Sequence, residues 1–268
     1  MQIKTILLSE KYPDATLTAY LPYSGDSSAD AILICPGGGY YTVCDGHEGE
    51  AIAMAFSARG FRCFVLKYSV GEKAKFPTPL IEASLAMAHI KENAEEYGVD
   101  RERVFVMGFS AGGHLAASLG TLWHKDWLNQ HLDIPFGRNK PKGMILSYPV
   151  LSYFEETHKG TFRHALGEEP NAENTREISL DLQVDGEHTV PAFLWHTMDD
   201  SCVHVENTLR MLSALRRHNV TAEAHLYPHG PHGVGTADSV VYGENASKID
   251  PRIKNWVGLA ADFMTTLA

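Results

Sequence analysis

The run Arg103-Val104-Phe105-Val106-Met107-Gly108-Phe109-Ser110-Ala111-Gly112-Gly113 decides how the chain must fold. Residues 103–109 are rich in β-branched and aromatic side chains, the mark of a buried strand. Residues 111–123 read as a helix. Between them G-x-S-x-G forms a turn too tight for side chains at Gly108 or Gly112. Strand, sharp turn and helix together push the Ser110 hydroxyl out at the top of a sheet. The helix also points the positive end of its dipole there, which favours a developing anion. The competing reading is a chance match at a glycine-rich helix entry. It leaves unexplained the acid and base that follow in order.

Outward from this turn, strands and helices alternate. Strands are expected at 31–35, 62–67, 143–148, 191–196 and 222–227. Helices are expected at 48–59, 80–97, 205–217 and 246–267. Residues 3–9 and 15–21 read as edge strands or a hairpin, and 24–28 as a turn. Such alternation implies right-handed crossovers and a mostly parallel sheet, flanked by helices on both faces. Two long polar segments, 125–141 and 151–190, interrupt the rhythm. Insertions of this kind usually sit over the carboxyl ends of strands, where substrates bind. We read 151–190 as a cap within a single domain spanning 1–268.

Composition narrows the function classes. With 268 residues, 44% apolar and 21% charged, the chain suits one large α/β domain and not a disordered segment. A formal charge of -10 repels phosphate backbones and anionic lipid surfaces, so neither nucleic acid nor membrane is an expected partner. The first ten residues lack the basic and apolar regions of a signal peptide, and no stretch is apolar enough to span a bilayer. The expected setting is cytoplasmic. Cys35, Cys44, Cys63 and Cys202 form no C-x-x-C pair and read as reduced thiols.

The first buried strand ends in Cys35-Pro36-Gly37-Gly38-Gly39-Tyr40. Successive glycines leave backbone N–H groups bare. Acyl transfer needs such donors aimed at a tetrahedral oxyanion, and losing one costs about 3 kcal/mol. Gly38 and Gly39 are the expected donors, with Ala111 as the third. A phosphate-binding loop is the rival. It lacks a following G-K-[ST] and the G-x-G-x-x-G spacing. A plain turn is the simpler alternative.

A late strand runs into Asp199-Asp200-Ser201-Cys202-Val203. A carboxylate here can fix a histidine's tautomer and stabilise its imidazolium. Only one of the two aspartates will point inward. Asp200 is the choice from turn geometry, with Asp199 as second candidate. The base comes last in this order, in Tyr227-Pro228-His229-Gly230-Pro231-His232-Gly233. His232 is favoured over His229, because Pro231 fixes the chain on entry and Gly233 frees it on exit.

Fourteen histidines invite a metal reading. His225, His229 and His232 are close in sequence but fall on a strand end and a loop. H-E-x-x-H does not occur, and no cysteine stands at zinc spacing. No metal or cofactor is therefore assigned. His114 reads as packing behind the serine, and Trp123, Trp127 and Trp195 as core or cap aromatics.

These motifs resemble a group of α/β-hydrolases, the acetyl-xylan-esterase-like branch of carbohydrate esterases labelled BD-FAE or endo-1,4-β-xylanase-like. The resembling stretches are Pro36–Tyr40 with His47-Glu48-Gly49-Glu50, then Gly108–His114, Trp195-His196-Thr197 through Asp200 to Asn207, and Gly230–Gly233. The resemblance implies the α/β-hydrolase fold and hydrolysis of small acyl esters, typically acetyl groups on sugars or xylo-oligosaccharides. It also favours Asp200 over Asp199. One departure is His204, where the family usually has proline, which bears on the geometry of the acid. Glycoside cleavage needs facing carboxylates, and no such pair is identified. A peptidase or amidase of arylformamidase or prolyl-peptidase type would share the same triad. A non-catalytic binding or sensor protein usually loses a triad member, and all three are present.

Overall fold

The computed structural model describes residues 1–23 and 28–267; the turn expected at 24–28 lies almost wholly outside them. Strands β1 (Gln2–Leu7), β2 (Thr16–Leu21), β3 (Ala29–Cys35), β4 (Arg62–Lys67), β5 (Val99–Phe109), β6 (Met144–Ser147), β7 (Ala192–Thr197) and β8 (Ala222–Tyr227) form one sheet. Their order is β1-β2-β4-β3-β5-β6-β7-β8. β1 and β2 form an antiparallel hairpin on the edge, β2 meets β4 antiparallel, and all other pairs are parallel.

The helices are α1 (Ala51–Ser57), α2 (Thr78–Glu92), α3 (Ala94–Tyr97), α4 (Ser110–Leu122), α5 (Asp126–Asn129), α6 (Lys159–Leu166), α7 (Glu206–Arg217), α8 (Ser239–Tyr242) and α9 (Trp256–Thr266). Period-two alternation along the central strands sorts the core into two layers. Leu33, Val104, Val106, Leu146 and Leu194 face one layer, completed by α2, α4 and α7 through Met87, Leu115 and Met211. Ile32, Ile34, Phe105, Met107, Phe193 and Trp195 face the other, completed by α1 and α9 through Phe56, Trp256 and Phe263. Among the described residues, no helix is long and apolar enough to cross a membrane.

Several expectations need correction. The closing helix expected over 246–267 is only α9. Pro251 cannot donate a backbone bond, and the Asp250 carboxylate instead accepts from the Arg252 amide at 2.9 Å, turning the chain. The helix expected over 48–59 opens as a wide helical turn, Gly46–Glu50, before α1. The one expected over 80–97 is broken at Asn93, whose side-chain amide donates to the His89 carbonyl at 2.8 Å. The 125–141 segment lies away from the carboxyl ends of the strands. Gly137, Lys140 and Pro141 border a hollow with Pro191 and Leu267, at the amino ends of β6 and β7. The direction of α4 explains this: it starts at the top of β5 and delivers the chain to the bottom of the sheet.

Candidate active site

β5 ends at Phe109 and α4 starts at Ser110. Ser110 holds φ at +53°, a left-handed conformation that costs on the order of 1 kcal/mol or more and persists where the surroundings enforce it. Those surroundings are tight. A Cβ on Gly108 would press onto the Gly112 carbonyl, and one on Gly112 onto the Cys35 carbonyl. The turn brings α4 against the end of β3, so the glycine-rich loop after β3 lies beside the serine.

The loop after β8 carries His232, whose Nε2 stands 2.9 Å from the Ser110 Oγ. Its Nδ1 donates to the Asp200 Oδ2 at 2.7 Å. Asp200 follows β7 with its side chain fully buried. Its Oδ1 accepts from the amides of Cys202 and Val203, each at 2.9 Å. Burial pushes the Asp200 carboxyl up, but bonds from His196 and His232 and the Val203 amide outweigh it and hold the group well below the usual range. Asp200 therefore stays an anion facing the imidazole. Asp199 turns outward, accepting from Gly230 N at 2.8 Å and pairing with His229 at 2.9 Å on the surface. His204 packs its ring against Phe154 and is absent from the hydrogen-bond set of Asp200.

In the loop 36–42 the carbonyls of Gly38 and Gly39 are engaged while their amides are free. Gly38 O accepts from the amides of Tyr41 and Thr42, each at 3.0 Å. Gly39 O accepts from His164 Nδ1 at 2.9 Å. Among the described residues, the amides of Gly38 and Gly39 donate to no protein group. Gly38 has φ of +125°, and a Cβ there would run into the Thr42 carbonyl, so only glycine fits. Ala111 stands in the first turn of α4, where helix amides have no internal partner.

His114, fully buried, accepts from the Tyr40 hydroxyl at Nδ1 (2.9 Å) and donates from Nε2 to the Ile178 carbonyl (2.8 Å). Burial lowers its pKa to about 4, only partly offset by the bond to Ile178, so the ring is neutral. It ties the glycine loop to the 151–190 segment. That segment also supplies His158, Gly160 and His164 to the wall of a cleft of about 440 Å³ above Ser110. Trp195 is core, its indole donating to the Ser147 hydroxyl at 2.7 Å, and Trp123 and Trp127 stand away from the cleft.

Three contributors escaped the sequence reading. His196 places Nε2 2.9 Å from the Val203 carbonyl and 3.5 Å from Asp200 Oδ2, bracing the acid from behind. Glu48, 2% exposed, accepts from the Gly37 amide at 2.8 Å and from the Tyr148 hydroxyl at 2.8 Å. His158 faces the cleft, its pKa lowered by burial and then by the charges of His232 and His164. For Glu48 and His196 the available signal was their place in the quoted motifs, which carried no role. Groups with metal-ligand atoms do occur among the described residues: Cys44, His47 and Glu48 on the cleft wall, and His124, Asp185 and His188 elsewhere. The histidines weighed from sequence do not converge, for His225 pairs with Glu223 at 2.7 Å and His229 with Asp199.

A mostly parallel sheet with a strand–serine–helix turn, and with acid and histidine on later loops, defines an α/β-hydrolase. A protein-family model described as BD-FAE matches residues 17–215, and the chain belongs to that family. Endo-1,4-beta-xylanase B of Butyrivibrio fibrisolvens is 38% identical over 83% of the chain and 35% of its own length. Acetylxylan esterase of Xylanibacter ruminicola is 29% identical over 82% of the chain and 44% of its own length. The chain thus spans less than half of these two relatives. Among solved structures, an acetyl ester-xyloside bifunctional hydrolase from Caldicellulosiruptor lactoaceticus superposes with a TM-score of 0.80 at 34% identity, covering 96% of both chains. The carboxylesterase Cest-2923 from Lactobacillus plantarum gives 0.84 at 25% identity, covering 99% of this chain and 97% of that one. Homologues of the chain are thus carboxylic ester hydrolases.

Proposed function

We propose that the protein is a serine carboxylesterase that hydrolyses short acyl esters, removing acetyl groups from sugars or xylo-oligosaccharides. The observation that carries the reading is the unbroken line from Asp200 through His232 to Ser110, with links of 2.7 and 2.9 Å, beside the free amides of Gly38 and Gly39. In the first half-reaction the Ser110 oxygen attacks the ester carbonyl and its proton passes to His232 Nε2. The amides of Gly38, Gly39 and Ala111 bind the oxyanion. Asp200 holds the Nδ1 proton and balances the imidazolium charge. The C–O bond to the alcohol breaks as His232 returns the proton to the leaving oxygen. Water, deprotonated by His232, then attacks the acyl-serine and releases the carboxylic acid.

The cleft supports a sugar-sized substrate. Tyr41 is 71% exposed and stacks on His164 with ring centroids 5.5 Å apart, offering an aromatic face at the cleft edge. The 151–190 segment acts as the cap. Four free thiols, two of them buried, support a reducing cytoplasm as the setting. The testing experiment is Ser110→Ala, assayed on p-nitrophenyl acetate and acetylated xylo-oligosaccharides beside formanilides and proline peptides. Turnover of the acetyl esters should fall by about a millionfold, as for loss of a triad nucleophile, with the fold unchanged. Undiminished hydrolysis in that variant, or wild-type preference for the amides, would overturn the reading.

A further inference from the structure

The wide turn Gly46–Glu50 does more than enter α1. Cys44 lies just before this turn, its carbonyl accepting from the Glu48 amide at 3.2 Å, and His47 and Glu48 follow it at i+3 and i+4. The Cys44 sulfur, an imidazole nitrogen of His47 and a carboxylate oxygen of Glu48 all lie within 4.8 Å of one another. His47 Nε2 and Glu48 Oε1 are 4.0 Å apart. A Cβ placed on Gly233 would stand 3.9 Å from each of these two atoms, so both look into the same space under Gly233.

Glu48 is the fixed ligand of the three. Its Oε2 is held by the Gly37 amide and its Oε1 by the Tyr148 hydroxyl, which leaves a lone pair on Oε1. His47 is the adjustable one, with 43% of its side chain exposed. Zinc at its usual bond lengths sets nitrogen and oxygen ligands about 3.4 Å apart, so a small rotation of His47 suffices. A thiolate with an imidazole and a carboxylate selects a borderline-soft ion over magnesium or calcium. The second group differs. His124 and His188 stack with centroids 3.8 Å apart and planes 16° from parallel, so their in-plane lone pairs run side by side and do not meet.

We propose that Cys44, His47 and Glu48 form a binding site for a borderline-soft divalent cation, zinc in the first instance, on the wall of the cleft. Binding transfers the Cys44 thiol proton to solvent and forms three metal–ligand bonds; no electron is exchanged. The fourth position is open to water. The consequence for catalysis rests on the roles proposed above for Ser110 and His232. A dication under Gly233, next in the chain to His232, opposes the imidazolium that His232 must become, so zinc inhibits.

Cobalt titration of the whole protein under anaerobic conditions tests the site without reference to activity. One equivalent should bind with the near-ultraviolet band of a thiolate–cobalt bond. Cys44→Ser should abolish the band, and Cys202→Ser, which changes the other thiol lining the cleft, should keep it. His47→Gln should weaken binding by at least about tenfold, the cost of disturbing even an outer partner of a metal. Absence of the band at millimolar cobalt, or its survival in Cys44→Ser, would overturn the site. Zinc inhibition is read as the ratio of ester turnover with and without zinc for each variant, and should vanish in Cys44→Ser. Inhibition of Cys44→Ser equal to that of wild type would overturn the inhibitory role. A wild type inactive on esters without metal would count against the proposed function alone, since the cobalt band does not depend on turnover.

Discussion

The Tyr148 hydroxyl donates to the Glu48 carboxylate at 2.8 Å and accepts from the Gly235 amide at 3.1 Å, joining three loops at one oxygen. Glu48 in turn anchors Gly37, ahead of Gly38 and Gly39, and Gly235 lies three residues past His232. The Tyr148 ring also meets the His232 ring edge-on, with centroids 4.9 Å apart. His232 and the loop that carries the free amides of Gly38 and Gly39 are thus set against one another by a buried polar cluster.

Tyr148→Phe removes this joint but keeps the ring. The Gly235 amide and a buried carboxylate oxygen lose their partner, which costs about 1–3 kcal/mol. Chemical denaturation should show that loss. The turnover number should fall by more than the Michaelis constant changes, because the lost bonds brace the loops that carry Gly37 and His232.

The two adjacent aspartates should separate cleanly. Asp200→Asn is expected to lower kcat by about 10⁴-fold, the effect of leaving a triad histidine in the wrong tautomer. Asp199→Asn breaks only an exposed surface pair with His229, a kind of contact that contributes little, and should leave kcat near wild type. The Asp200 carboxyl is held below its unfolded value, so its stabilising contribution is present above the ordinary aspartate range and is lost as pH falls through the folded value. Thermal melts in acid should therefore show a steeper decline for wild type than for Asp200→Asn. Equal slopes would contradict this.

His114 has the opposite chemistry and acts nearer neutrality. Its folded pKa of about 4 lies below the ordinary histidine value of 6.5, because burial disfavours the cation. Below the unfolded value, the unfolded chain takes up a proton that the folded ring does not. Stability therefore drops as pH falls from the unfolded value towards the folded one, by about 2 kcal/mol between about pH 6.5 and about pH 5. Urea titrations across that window should show a smaller drop in His114→Gln.

Gly108→Ala tests the turn itself. The added methyl meets a backbone carbonyl, and no side chain is available to give way. The expected cost is about 3 kcal/mol, at the upper end for overpacking, with ester turnover lost alongside. Unchanged melting temperature would mean that the turn is looser than the contact implies.

Motifs that are local in sequence were legible: Ser110 at the head of α4, the glycine run after β3, and His232 between proline and glycine. The mostly parallel sheet followed from strand–helix alternation, because β3, β5, β6 and β7 carry apolar side chains on both faces. What could not be read were contacts made across the sheet. Glu48 read only as the first residue of a helix, since its partner Tyr148 is 100 positions away. His196 lies in a strand whose every side chain is buried, and only the turn at Asp200 shows what it braces. The choice between Asp199 and Asp200 hung on one peptide's direction. The closing helix was overextended because Asp250 and Pro251 were outweighed by the apolar run after them.

Through His114, Tyr40 is fastened to Ile178, and through His164 the Gly39 carbonyl is held from the same side. A segment bound this way to the glycine loop is no independent hood. Substitutions made there to widen the mouth for bulkier acyl groups will also tilt the donors, so selectivity and rate should change together in evolved variants. Loop grafting from a relative will succeed only when Tyr40 and His114 travel with the graft.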